Sequence, residues 1–146
     1  MLITAIKQTS PGRLTVTLED EREIKTTLGV VTDLRLFSGR ELDEGGLEEL
    51  ERESRRALTR EKALEYLSRR AMSRKELEKK LTDKGCDVED AAYCAAWLAE
   101  RGLIDDASYA AAVARHYSAK GYGPGRIRSE LSRRGIDRGM WDEVLD

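Results

Sequence analysis

The sequence has few of the residues from which metal and catalytic centres are usually built. Its 146 residues include a single histidine, His116, and two cysteines, Cys86 and Cys94. No cluster of further cysteine or histidine surrounds the two cysteines. Their spacing therefore argues against a zinc site and predicts two free thiols in a reducing cytosol. We expect neither a metal nor a cofactor.

Long apolar runs and targeting signals are missing as well. No run approaches the ~20 apolar residues that cross a bilayer. The segment 1–13 lacks the basic-then-apolar order of a signal peptide. The expected location is the cytoplasm, with no membrane contact.

The candidates for catalytic chemistry are weak. His116 lies among tyrosine and alanine residues of a predicted helix, and the stretch 121–125 lacks the preceding strand and the Lys–Ser/Thr pair of a phosphate loop. Asp105 and Asp106 directly precede a helix, where acids act as caps and complement the helix dipole. The remaining residues do not assemble a nucleophile, a base and an orienting group. The sequence predicts that the protein is not an enzyme.

Charge, in contrast, is abundant and unevenly distributed. Charged residues make up 37% of the chain, yet the net charge is only −2. Residues 1–56 contain nine basic and twelve acidic residues, whereas residues 69–84 contain seven basic and three acidic ones. Residues 113–135 contain six basic residues and a single acid, Glu130. A basic face is therefore compatible with the nearly neutral total.

The first part of the chain has the pattern of a small antiparallel sheet. The stretch 14–20, "LTVTLED", alternates apolar and polar residues as a half-buried strand does. The stretch 21–29, "EREIKTTLG", continues this alternation as far as Leu28, and residues 2–8 supply a third strand. A short helix is expected at 30–37, "VVTDLRLF".

The pattern then becomes helical and remains so. Leucines spaced among charges predict one helix, or two nearly continuous helices, over 47–70. Ser73 and Glu76 have the spacing of a capping box, in which each side chain binds the backbone amide of the other residue. Gly85 is a natural helix terminator, and Asp87 is suited to cap the helix that follows.

The sequence pattern of one helix in this region occurs twice. The stretch 73–87, "SRKELEKKLTDKGCD", returns fifty residues later as 123–137, "GPGRIRSELSRRGID", with Gly85 and Gly135 in equivalent places. Short repeated units of this kind stack because each alone has too little core. The predicted fold is mainly α, with two tandem three-helix repeats after a small N-terminal antiparallel β segment. The predicted segments are 1–45, 46–104 and 105–146.

The repeated residues resemble those of a known family. Three stretches in this order and spacing, 63–85 "ALEYLSRRAMSRKELEKKLTDKG", 103–110 "LIDDASYA" and 120–136 "KGYGPGRIRSELSRRGI", are similar to the RecX family, the bacterial regulators of the RecA recombinase. The resemblance covers roughly 57–145. Many family members carry three three-helix repeats, whereas this sequence contains two.

The resemblance implies a non-enzymatic modulator, and we expect the protein to be a monomer. Its partners would be the RecA protein and the filament that RecA forms on single-stranded DNA, with weak direct DNA binding as a possible addition. The implied action is mostly inhibitory, on recombinase, ATPase and co-protease activities. The protein would thereby regulate homologous recombination, DNA repair and the SOS response.

Helical geometry selects candidate contacts for such a partner. At 100° per residue, burying Ile127 and Leu131 turns Arg126 and Arg133 outward. Basic side chains on matching helices could follow a repeating acidic partner, either phosphate or an acidic protein groove. The alternative is a solvated face with local pairs, such as Glu76–Lys80. The candidate binding residues are Lys75, Lys79, Arg115, Lys120, Arg126, Arg128 and Arg133.

Two other classes of function remain open at this point. A repeat helix could enter the major groove of duplex DNA, as in a helix-turn-helix protein, and would then show a strong preference for one sequence. The helix 73–85 offers Lys and Glu but no run of Asn, Gln or Arg suited to reading bases. A scaffold or adaptor role unrelated to recombination is also compatible with the sequence.

Overall fold

The computed structural model describes residues 1–145, in which three strands precede seven α-helices. This mainly helical architecture with an N-terminal sheet confirms the predicted fold class. The elements are β1 (Ile3–Ser10), β2 (Arg13–Leu18), β3 (Glu23–Thr27), α1 (Leu28–Asp33), α2 (Glu44–Arg69), α3 (Arg74–Asp83), α4 (Val88–Glu100), α5 (Asp106–Ala119), α6 (Pro124–Arg133), a 3₁₀ turn (Arg138–Met140) and α7 (Trp141–Leu145).

The N-terminal sheet is antiparallel, in the order β1-β2-β3. Val16 of the central strand lies opposite Ile6 of β1 and Ile24 of β3. The alternation in β2 places Val16 and Leu18 in a core cluster that also includes Leu50 of α2. The sheet therefore has one buried face, as its sequence pattern predicted.

The third strand ends one residue earlier than its alternating pattern suggested. The side chain of Thr27 accepts a hydrogen bond from the amide of Val30 at 3.3 Å, which starts α1 at Leu28. Leu28 is consequently 57% exposed instead of continuing the buried face of the sheet. The prediction that placed Leu28 in a strand was wrong because a helix cap took precedence over the alternation.

The chain forms two compact units, one of residues Met1–Glu61 and one that begins at Lys62. The division falls within α2, so this helix contributes residues to both. The N-terminal unit contains the sheet, α1 and the core around Leu50. The predicted segment boundaries at 45/46 and 104/105 stay predictions.

The C-terminal unit contains the two three-helix repeats. In the first repeat, which comprises the end of α2 with α3 and α4, Leu77 and Leu81 are buried against α4. In the second repeat, which comprises α5, α6 and α7, Ile127 and Leu131 take the equivalent places. Each repeat thus has a small core cluster of its own.

The equivalent helices α3 and α6 end in the same way. Gly85 has a φ of +95° and Gly135 a φ of +76°, in the left-handed region that favours glycine. The amide that follows each glycine donates back into its helix at 3.0 Å, from Cys86 to the Leu81 carbonyl and from Ile136 to the Leu131 carbonyl. This pattern is the Schellman motif, and it confirms the predicted left-handed termination at both glycines.

The two glycines differ in their surroundings. A Cβ added at Gly85 would meet open space, whereas one added at Gly135 would lie 2.7 Å from the Cβ of Lys75 in the first repeat. Contact at that distance forces a shift of the backbone or of Lys75, because both atoms are close to their main chains. Gly135 is therefore required both for its own turn and for the approach of the first repeat.

We predict unequal costs of substitution at the two glycines. Gly85→Ala should lower the free energy of unfolding by about 1 kcal/mol through left-handed strain alone. Gly135→Ala should lower it further because of the contact with Lys75. Gly125→Ala, in the first turn of α6 with open space around it, is the control and should be neutral or stabilising. Urea unfolding measures all three, and equal losses at Gly85 and Gly135 would contradict the close-contact argument.

Candidate partner-binding site

The structure places all seven candidate side chains on the surface of the C-terminal unit. Two belong to α3, two to the last turns of α5 and its C-cap, and three to α6. In that order they are Lys75 and Lys79, Arg115 and Lys120, and Arg126, Arg128 and Arg133.

The two lysines of α3 are engaged with acids. The ammonium of Lys75 lies 3.3 Å from the carboxylate of Asp137, in the second repeat. The ammonium of Lys79 lies 2.8 Å from the carboxylate of Asp83 one helical turn away, and this contact raises the pKa of Lys79. Both pairs are exposed and therefore weak, but they reduce the positive potential that α3 presents.

Arg133 is engaged as well. Its Nε donates to Glu130 Oε2 at 3.1 Å, and a second guanidinium nitrogen is paired with Oε1 of the same carboxylate. The only acid in the basic stretch 113–135 is thus used to hold Arg133. The outward direction predicted for Arg133 is confirmed by its exposure, but its charge is partly compensated.

Four of the seven cations have no such partner. Among the residues that the structure describes, no carboxylate forms an ion pair with Arg115, Lys120, Arg126 or Arg128. All four belong to the second repeat. We call these four residues the free cation set, and they are the part of the candidate site that is available to an acidic partner.

Arg126 also contacts an aromatic ring. Its guanidinium carbon lies 4.1 Å from the centre of the Tyr122 ring, within the range of a cation–π interaction. Tyr122 in turn stacks on Tyr117, with ring centres 5.4 Å apart and planes at 20°. Tyr122 lies in the stretch 121–125, which lacks the features of a phosphate loop, and it was not predicted as a site residue. The four-residue spacing between Tyr122 and Arg126 was the available signal.

An open groove of about 550 Å³ lies next to these residues. Helices α5, α6 and α7 form it, and it was not foreseen from the sequence. Its apolar lining includes Ala114, Ile127, Val144 and Leu145, and Arg115 of the free cation set borders it. The site thus combines an apolar groove with unpaired positive charge.

Behind this face, Arg134 anchors a partly buried polar network. Its Nε donates to Glu130 Oε1 at 2.7 Å, and its Nη1 donates to the hydroxyl of Tyr109 at 2.8 Å. A longer contact of 3.5 Å reaches the hydroxyl of Tyr117. The side chain of Arg134 is 23% exposed and therefore lies near the edge of the core.

The network fixes the charge states of its members. Hydrogen bonds from Arg133, and next from Arg134, lower the pKa of Glu130 to about 2, although burial opposes this change. Burial raises the pKa of Tyr109, and the nearby carboxylate of Glu76 adds to that rise. At neutral pH, Glu130 is therefore a carboxylate and Tyr109 a neutral phenol that can donate a hydrogen bond.

The two repeats meet at the start of α3. Ser73, which is buried, accepts a hydrogen bond from the amide of Glu76 at 3.1 Å and donates its hydroxyl to the carbonyl of Arg134 at the end of α6. The amide of Arg74 donates to the carboxylate of Asp106 at 2.9 Å. The predicted capping box at Ser73 is confirmed, and it also supplies a bond between the repeats.

The described residues contain neither a cluster of metal ligands nor a membrane helix. Over residues 1–145, no three side chains of His, Cys, Asp or Glu lie close enough together to hold a metal ion. The same residues form no helix that is both long and apolar enough for a transmembrane span. Cys86 and Cys94 are both thiols that are not joined in a disulfide, as predicted. His116 is exposed, and its ring packs edge-on against Tyr117 at 5.1 Å.

The fold and the candidate site together define a class, that of helical-repeat proteins with a cationic face on the second repeat. Two family models match the C-terminal unit, one for each of its three-helix repeats. The first three-helix domain of RecX matches residues 60–98, and the second three-helix domain of RecX matches residues 105–145. The chain belongs to the RecX family.

Individual relatives agree with this assignment. A regulatory protein RecX from Pseudomonas entomophila is 43% identical over 86 residues, which cover 59% of this chain and 56% of the relative. One from Xanthomonas oryzae is 44% identical over 77 residues, 53% of this chain and 48% of the relative. The chain thus spans about half the length of the curated relatives it matches.

One solved structure extends the similarity to the N-terminal unit. A crystal structure of regulatory protein RecX has a TM-score of 0.81 and 29% identity, covering 99% of this chain and 72% of that one. RecX from Lactobacillus salivarius has a TM-score of 0.59 and 29% identity, covering 62% of this chain and 60% of its own.

The network around Arg134 leads to a prediction about stability. Arg134→Met keeps most of the aliphatic stem but removes one of the two guanidinium groups that bind Glu130 and the donor to the hydroxyl of Tyr109. We expect a loss of about 1–3 kcal/mol in the free energy of unfolding. Arg126→Met is the matched control on the exposed face and should change it by no more than about 0.5 kcal/mol. Urea unfolding of the two variants should therefore separate them clearly, and similar midpoints would count against a structural role for Arg134.

The lowered pKa of Glu130 leads to a pH prediction. Because the folded-state pKa of about 2 lies below the ordinary value of 4.5, the ionised carboxylate stabilises the fold fully above pH 4.5. This stabilisation is lost as the pH falls towards 2. The difference in unfolding free energy between the wild type and Glu130→Gln should therefore be constant near neutrality and shrink across this acidic range. A difference that stays the same down to pH 2 would show that Glu130 is not held ionised.

Proposed function

We propose that this chain is a non-enzymatic regulator that binds the RecA recombinase and above all its filament on single-stranded DNA. Binding lowers the recombinase, ATPase and co-protease activities of RecA and so regulates recombination, DNA repair and the SOS response. The protein acts as a cytoplasmic monomer. Membership of the RecX family and relatives described as regulatory proteins support this proposal.

The free cation set is the observation that carries the proposal. Arg115, Lys120, Arg126 and Arg128 are exposed, lie on one repeat and have no acidic partner among residues 1–145. Unpaired cations attract either the phosphates of a DNA strand or the carboxylates of a protein groove without a sequence preference. A filament of protein on DNA offers both kinds of acidic group at regular intervals.

Co-sedimentation tests the proposed partner directly. The wild type should pellet with RecA filaments on single-stranded DNA far more strongly than it associates with RecA alone or with DNA alone. Equal binding to free DNA, or a strong preference for one duplex sequence, would favour a direct DNA-binding module of the helix-turn-helix type instead. Binding to none of the three would leave an adaptor role in another process.

Reversal of charge on α6 should separate binding from folding. We expect Arg126→Glu combined with Arg133→Glu to abolish the suppression of DNA-dependent ATP hydrolysis and strand exchange by RecA. Most of the loss should come from Arg126, because Glu130 already compensates Arg133. The free energy of unfolding should change by no more than about 0.5 kcal/mol at exposed Arg126.

The controls use residues outside the outward face. Lys84→Glu reverses an exposed cation at the end of α3 and should leave inhibition intact. Ile127→Ala, in the core, should lower stability by ~2–5 kcal/mol and reduce inhibition only as the folded fraction falls. A well-folded double variant that inhibits as strongly as the wild type would remove α6 from the binding site and direct attention to Lys75 and Lys79.

Salt dependence gives the number of cations in use. If the four free cations displace counterions from single-stranded DNA, log K should fall with log salt at a slope of about −3. If all seven candidates did so, the slope would be about −5. Titration of filament binding against salt therefore tests whether the three acid-paired residues Lys75, Lys79 and Arg133 take part.

A further inference from the structure

We propose that the groove between α5, α6 and α7 binds an acidic amphipathic helix of a protein partner. The inference rests on the proposed regulatory function in one respect, namely that the partner at this site is a protein surface and not DNA alone. It adds the kind of segment that is recognised and the residues that recognise it.

The lining of the groove is suited to apolar side chains. Ala114 and Ile127 are each only 5% exposed, so they form a closed apolar surface at the base. Val144 and Leu145 of α7 are half-buried and border the same space. When a partner covers the accessible apolar atoms of a preformed groove and excludes water from them, the free energy of the complex is lowered.

The edge of the groove carries positive charge. Arg115 lines the groove directly, and Arg126 lies over the ring of Tyr122, which lines it as well. Lys120 follows at the C-cap of α5, within 5.7 Å of the Tyr117 ring centre. None of these three cations forms an ion pair within residues 1–145.

The acids of the neighbouring helix α7 do not cancel this charge at the groove. Asp142 lines a different cleft, together with Arg128, Arg138 and Trp141. Glu143 is exposed and does not line the groove. The edge formed by α5 and the start of α6 is therefore the positive one, and it is suited to an occupant with acidic side chains.

A helix with two kinds of residue matches this geometry. Leucine-like side chains at i, i+3 or i+4, and i+7 form an apolar stripe that enters a groove between helices. Glutamate residues flanking that stripe would meet the guanidinium groups of Arg115 and Arg126, and charge complementarity of this kind sets orientation and partner choice.

A nucleic-acid strand fits the groove less well. Bases bind single-strand proteins by stacking on available aromatic faces. The ring of Tyr122 already contacts the Arg126 guanidinium and stacks on Tyr117, so a base would have to displace one of these contacts. The lining is otherwise mainly aliphatic, and it offers no second aromatic platform among the residues that border the groove.

Three labelled peptides of about 20 residues provide the test. The first has a leucine stripe flanked by glutamates, the second has the same stripe flanked by lysines, and the third has the same glutamates but serines in place of the leucines. Fluorescence anisotropy with the full chain should show binding of the first peptide about tenfold or more tighter than of the other two.

Variants of the protein locate the binding. Ser118→Trp fills the groove from an exposed position of α5, and Ala119→Trp does so from the next residue, in case one variant folds poorly. Each should weaken binding of the leucine–glutamate peptide about tenfold or more, and so should Arg115→Glu. Lys84→Glu makes the same charge change away from the groove and should have little effect. Thermal unfolding checks that each variant is folded.

Three results would overturn the inference. The first is equal binding of all three peptides, and the second is unchanged binding in both folded tryptophan variants. The third is binding of an oligothymidylate, in place of the peptide, that the same tryptophan variants abolish. That last result would assign the groove to nucleic acid.

The results distinguish a failure of the groove proposal from a failure of the RecA proposal. A wild type that binds the leucine–glutamate peptide but does not pellet with RecA filaments would refute the RecA proposal and keep the groove inference. A wild type that pellets with filaments, with no peptide binding at the groove, would refute the groove inference and keep the RecA proposal.

Discussion

The hydroxyl of Ser73 is the atom on which the arrangement of the two repeats depends most. It accepts a hydrogen bond from the amide of Glu76 at the beginning of α3 and donates one to the carbonyl of Arg134 at the end of α6. Helix ends leave such amides and carbonyls without partners inside the helix. One buried hydroxyl therefore completes the start of one helix and the end of another. Together with the bond from the Arg74 amide to Asp106, it joins the two repeats.

Local pairing decides how much of the basic composition can act on a partner. Acids from the same helix hold Lys79 and Arg133, and an acid from the other repeat holds Lys75. Of the seven candidate residues, the four without an acidic partner among residues 1–145 all belong to the second repeat, and Arg115 among them borders the apolar groove. This uneven pairing is compatible with a net charge of only −2.

The features that could be predicted from the sequence are those that depend on neighbours in the chain. The duplicated spacing, the cap at Ser73 and the turns at Gly85 and Gly135 all follow from local hydrogen bonding, and the structure confirms them. The prediction that Leu28 continues a strand failed because the side chain of Thr27 caps a helix that begins at Leu28. The partner of Lys75 is 62 positions away, so no local pattern could indicate it. The groove is formed by three helices, so it could not be predicted from a local sequence pattern either.

The close approach of the backbone at Gly135 to Lys75 means that the two copies of the duplicated unit are no longer interchangeable. A consensus sequence for the two copies would have to suit two different environments at this contact, one open and one close. The first copy has open space beside its glycine, whereas the second has Lys75 of the preceding repeat against it. In an array built by multiplying the first unit, the helix ending of every unit after the first would meet the unit before it. Only the first glycine of such an array would be required for its left-handed turn alone.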